Sequence, residues 1–218
     1  MSSKYRPKDS RMSPSQSMLQ SPSEARTAML GIKLVSLANL LRLVPETDDF
    51  RIGKQSVTAA LDAFAQVGVG RHAAAHGAQF MAGNLTPRLT TKMLEDVLEA
   101  IEQSPLPDHE WAPMAELLGD DLLESLLGAS ASSVRRYRTG ERPTPDRIAQ
   151  RLHFVSLIVA DLAGSYNSFG IRRWFGRSRQ ALSGQSPSGI LAGDWDSSDP
   201  GATDVQALAA ALLAPMSS

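Results

Sequence analysis

The chain has 218 residues, 42% of them apolar, with 22 Lys and Arg against 23 Asp and Glu, so it can bury a core of its own and has no overall basicity pointing to nucleic acid. It contains no cysteine, which excludes disulfides, thiol nucleophiles and Cys-based metal sites and makes a reducing compartment the simplest home. No run of eighteen apolar residues occurs, and the polar, Ser/Pro-rich start lacks the apolar stretch of a signal peptide, so a cytoplasmic location with no membrane partner is expected.

In chain order, residues 1–23 hold little that can be buried and are expected to be a disordered tail. Ser23 and Arg26 fit the opening of a helix whose apolar face runs through Met29, Ile32, Leu34, Leu37, Leu40, Leu41 and Val44 until Pro45 stops it. ETDDFRIG reads as a loop, and Val57, Leu61, Phe64 and Val67 mark a second helix ended by Gly68 and Gly70. A weaker Ala-rich helix is expected over Arg71 to Ala82. Thr86-Pro87 then supplies a cap and a first-position proline for a helix through Leu89, Met93, Val97 and Ile101, with Glu95, Asp96, Glu99 and Glu102 on its solvated face.

SPLPDHEW, from Ser104 to Trp111, marks the expected boundary of a helical N-terminal region spanning 24–104. Beyond it, Trp111, Met114, Leu117, Leu118, Leu122, Leu123, Leu126 and Leu127 form a helical stripe broken near Gly119-Asp120. No segment alternates with period two, so the fold class is all-α.

From Leu122 to Arg151 the sequence LLESLLGASASSVRRYRTGERPTPDRIAQR lays out a short apolar helix, a glycine turn and an arginine-bearing second helix, the arrangement of a helix-turn-helix. Six arginines there, Arg151 included, stand against Glu124, Glu141 and Asp146. Gly128 falls at the turn. Val134 and Tyr137 are placed to pack on Leu123 and Leu127, which leaves Ser130, Ser132, Ser133, Arg135, Arg136 and Thr139 for DNA. Arg138 and Arg142 are expected to hold phosphates. Glu124 stands where such motifs usually keep a small residue. Thr144 and Pro145 are expected to cap and open a long helix through Ile148, Leu152, Val155, Leu157, Ile158 and Leu162, which closes a unit over 105–163.

In the last segment, 164–218, Trp174-Phe175 is followed by Arg179, Leu182, Gly184, Ser186-Pro187 and Ile190-Leu191. Ser186-Pro187 is a cap with a first-position proline, Gly193 ends that helix, and Val205, Leu208, Leu212 and Leu213 form a last one. Trp195, between Asp194 and Asp196, must either fold back on the core or await a partner. After Arg179 the only charges are Asp194, Asp196, Asp199 and Asp204.

With RRYRTGERPTP, these motifs resemble the Xre/MbcA/ParS family of antitoxins over about residues 105–213. The resemblance implies an Xre-like helix-turn-helix bundle that represses its own operon, followed by a small helical toxin-binding domain. It also implies a partner, a RES-type toxin acting on NAD, that is neutralised by C-terminal residues covering or entering its active site. The toxin-binding residues on this pattern are Trp174, Phe175, Arg179, Leu182, Gly184, Pro187, Trp195 and Asp196. A homodimer or a larger toxin–antitoxin assembly goes with it, and the roughly eighty helical residues before the motif depart from it. A protein-interaction module, or a standalone regulator without a toxin, stays open beside this reading.

Other signals carry less. GVGRHA, from Gly68 to Ala73, is a loose dinucleotide fingerprint preceded by a helix rather than a strand. His72 and His76 lack a third metal ligand nearby, and His109, in the loop, and His153, on a packed helix, complete no catalytic set. No enzyme activity, metal or cofactor is therefore expected.

Overall fold

The computed structural model describes residues 22–45 and 53–213, and over these the chain is all-α. The expected tail, apart from its last two residues, and most of the ETDDFRIG loop lie outside the described residues. Helices α1 (Pro22–Leu40), α2 (Lys54–Gln66) and α5 (Pro87–Glu102) pack together, with two short helices, α3 (Arg71–Ala74) and α4 (Gly77–Met81), where one Ala-rich helix was expected. Thr86 caps α5 as its sequence implies, accepting the Leu89 N–H at 3.4 Å. Leu34, Leu37, Leu61, Phe64, Leu94 and Ile101 meet in this first core.

SPLPDHEW is more helical than its prolines suggest. Helix α6 (Pro107–Leu118) begins at the second proline, taking up His109 and burying Glu110 and Trp111. Gly119, at φ +78, breaks the apolar stripe and starts α7 (Asp120–Leu127), and the chain continues through α8 (Ala131–Arg138) to α9 (Asp146–Ala163). Thr144 does not cap α9. Its hydroxyl instead accepts the Trp111 indole N–H at 2.9 Å, Pro145 takes the cap position, and the helix opens at Asp146 without a side-chain cap.

Helix α9 is buried along its whole length from Arg151 to Leu162, which makes it the axis of the molecule. Leu152, Val155, Ile158, Val159 and Leu162 belong to a second core with α6, α7, α8 and the helices that follow, α10 (Ser168–Gly176), α11 (Pro187–Ile190) and α12 (Pro200–Ala210). Leu157 and Ala160, on its other side, complete the first core. No single helix among the described residues is long and apolar enough to cross a membrane.

A helix buried on all sides needs local partners for its polar side chains, and α9 has four such contacts, although His153 Nε2 and both Asp161 carboxylate oxygens make no hydrogen bond. Ser156 donates to the Leu152 carbonyl at 2.9 Å. The His153 Nδ1 lies 2.5 Å from Glu110 Oε1. Asp161, fully buried, has the Lys33 ammonium at 3.7 Å, and Lys33 also reaches Glu102 at 3.3 Å. The fourth contact, that of Arg151, belongs to the candidate site.

Candidate nucleic-acid interface

The turn between α7 and α8 is made by Gly128 in the left-handed region at φ +63, with the Ala129 N–H closing back on the Glu124 carbonyl at 3.2 Å. Half-buried Glu124 thus serves the turn through its backbone. Ser130 ends the turn as the cap of α8, its Oγ accepting the Ser133 N–H at 3.4 Å and lying 3.2 and 3.0 Å from the hydroxyls of Ser132 and Ser133. Ser130 is therefore committed to its own helix, and Thr139 likewise donates to the Arg136 carbonyl at 3.4 Å.

Val134 is the residue by which α8 is buried in the core. Tyr137, half-buried, stacks on Trp111 with ring centroids 6.1 Å apart instead of turning to Leu123 and Leu127 alone, and the Arg142 guanidinium lies 5.9 Å from the centroid of its ring. Arg135 and Arg136 are exposed; Arg135 has no hydrogen bond or ion pair among the described residues, and Arg136 donates only to the Ser132 carbonyl, at 3.2 Å. Arg138 is tied to Asp120 at 2.6 Å, which draws its charge toward the start of α7. The outward surface of α8 is thus Ser132, Arg135 and Arg136, with Arg142 beyond its end.

Arg151 corrects the sequence reading of the basic cluster. Only 4% exposed, it turns away from that surface and fills the space behind the Gly128 turn. Its Nη1 donates to the Leu127 and Gly193 carbonyls at 2.9 and 3.0 Å, and its Nε and Nη2 donate to the Trp195 carbonyl at 2.9 and 2.5 Å. Nη2 also reaches Asp194 at 3.2 Å, where Arg147 adds a second ion pair. Burial pulls the guanidinium below its ordinary value, as does neighbouring Arg147, while Asp196 and Asp199 oppose the shift. Five donors spread over several carbonyls suit a planar guanidinium and no other side chain.

The loop that Arg151 holds carries Trp195. Its ring is 4% exposed, tilted against Phe154 at 5.3 Å and lying under the Arg151 guanidinium at 5.0 Å, and its indole N–H donates to the Leu126 carbonyl at 2.8 Å. Of its two options, Trp195 takes the core. A Cβ on Gly128 would lie 2.7 Å from the Gly193 oxygen and 2.8 Å from Arg151 Nη1, so the turn needs glycine both for its φ and for this close approach.

The same holds for most of the residues assigned to a toxin. Trp174 and Phe175 are buried edge to face at 5.3 Å, and Leu182 and Pro187 are buried as well, Pro187 behind the Ser186 cap that accepts the Gly189 N–H at 3.1 Å. Arg179, half-exposed, and exposed Gly184 and Asp196 are what this set leaves at the surface. Comparison with family models, with curated proteins and with solved structures found no match to the chain.

Proposed function

We propose that the chain is an antitoxin-type DNA-binding protein, cytoplasmic and without enzymatic activity, that contacts operator DNA through α8 and a RES-type toxin through the segment after α9. The observation that carries the DNA half is the pair Arg135 and Arg136, held outward on a helix anchored by Val134 and capped by Ser130. Guanidinium groups in that position suit bidentate contact with guanine in the major groove and with phosphate. A homodimer would present two such helices to a two-fold operator. The partner half draws on the acidic, arginine-free stretch after Arg179, which suits a basic cleft.

The test is binding to duplex DNA from immediately upstream of the chain's own reading frame. Arg135→Ala with Arg136→Ala should reduce specific affinity by about 2–5 kcal/mol and flatten its salt dependence by about two phosphate contacts. Unchanged binding at moderate salt overturns the assignment.

A further inference from the structure

A second basic surface lies on α10. A cavity of about 200 Å³, partly open to solvent, is lined by Tyr166, Phe169, Gly170, Arg173, Trp174, Arg177 and Arg179, and no carboxylate is among them. Phe169 is 66% exposed and Tyr166 37%, the former the most exposed large apolar side chain among the described residues. Arg173 lies 5.7 Å from the Phe169 ring centroid, and Arg179 lies 5.5 Å from that of Trp174. The Arg179 Nε is shielded from solvent and has no hydrogen-bond acceptor. Neither Arg173, Arg177 nor Arg179 has an ion pair among the described residues, whereas neighbouring Arg172 reaches Asp121 at 3.5 Å.

Three unpaired guanidinium groups and a buried donor lacking an acceptor call for an anionic ligand. An exposed ring at the rim, with a cation beside it, calls for a flat π-face lying against it from outside. Both demands are met by successive nucleotides of an unpaired strand, whose phosphates are spaced along a chain and whose bases are free to stack. Duplex DNA meets only the first demand, because its bases are already stacked.

We propose that the α10 groove binds single-stranded nucleic acid, with a base on Phe169 and phosphates on Arg173, Arg177 and Arg179. This site uses no residue of α8 and does not rest on the proposed function, although it shares Trp174 and Arg179 with the segment assigned there to the toxin. Fluorescence anisotropy of the full chain with labelled oligothymidylate and oligouridylate of about twelve nucleotides tests it. Both should bind at low salt, with log affinity falling by about 2 per log unit of salt for three phosphates neutralised. Phe169→Ala and Arg173→Ala, both at the surface, should each weaken binding about tenfold, in the range of one base–aromatic stack or one phosphate contact. Arg135→Ala with Arg136→Ala should leave it within about twofold, which separates this site from the helix-turn-helix. A preference for one strand upholds the proposal and names the natural ligand.

Three results overturn the proposal: no binding, binding lost only in the α8 double variant, or equal binding of a random duplex with the same response to Phe169→Ala. Binding of an acidic, phenylalanine-containing peptide with no binding of either strand overturns it in favour of a protein partner.

Discussion

Replacing Arg151 by alanine separates the two roles this arginine could have. If it faced phosphate, as its place in the basic cluster implies, stability would change by about 0.5 kcal/mol or less and DNA affinity would fall. Its geometry predicts the reverse. Arg151→Ala leaves the Leu127 and Trp195 carbonyls buried without this donor, at about 1–3 kcal/mol each, and removes a desolvated guanidinium from the Trp195 ring, worth about 1–2 kcal/mol more. Relief of the arginine's own desolvation and entry of water into the space offset part of this. The net is a loss of about 3–5 kcal/mol, a large share of the roughly 5–15 kcal/mol that holds a domain. Urea unfolding followed by far-ultraviolet circular dichroism measures it. Arg151→Lys should recover less than half, since three donors on one nitrogen cannot span the same carbonyls. An alanine variant with an unchanged midpoint and weakened DNA binding would refute the inward role.

Two further changes test neighbouring features. Gly128→Ala places a Cβ against the Gly193 oxygen and in a left-handed conformation, and should cost about 2–4 kcal/mol by the same unfolding measurement. Burial raises the Asp161 carboxyl from 3.8 to about 6, with Lys33 opposing and Glu102 assisting the shift. A raised folded-state value means that the native chain holds its proton longer, so this group costs nothing below about pH 4 and destabilises increasingly as pH rises to about 6. Asp161→Asn should therefore raise stability at pH 7, by at most roughly 3 kcal/mol, and leave it nearly unchanged near pH 4; an equal effect at both values rules out the titration.

Much of the framework was legible because its signals are local. Thr86-Pro87 and Ser186-Pro187 bond to N–H groups three residues on, and Gly119 and Gly128 interrupt a stripe whose period declares the helices on either side. Thr144-Pro145 carries the same signal and misled: Trp111, thirty-three residues earlier, holds the threonine hydroxyl. Local chemistry proposes a cap, and a distant donor of the right length can take it.

Candidate site residues divide on the same ground. Arg135 and Arg136 lie outward because Val134, beside them on the helix, must be buried, and the spacing alone places them. Arg138 and Arg151 belong to the same basic stretch of sequence, yet Asp120 holds one, and carbonyls 24 to 44 residues away draw in the other. The α10 groove was not read from the sequence, since its cavity requires Tyr166 and Arg179 to come together across α10.

By itself, then, the sequence determined most of the longer helices, the caps at Thr86 and Ser186, the left-handed glycine at the turn and the outward arginines of α8, because each follows from contacts within about one helical turn. Tertiary structure alone decided that α9 serves two cores, that Trp195 is buried, and that Arg151 joins the turn between α7 and α8 to the loop after α11. These depend on which carbonyls and rings arrive beside a side chain once the helices have packed, and nothing in the order of residues near Arg151 records that.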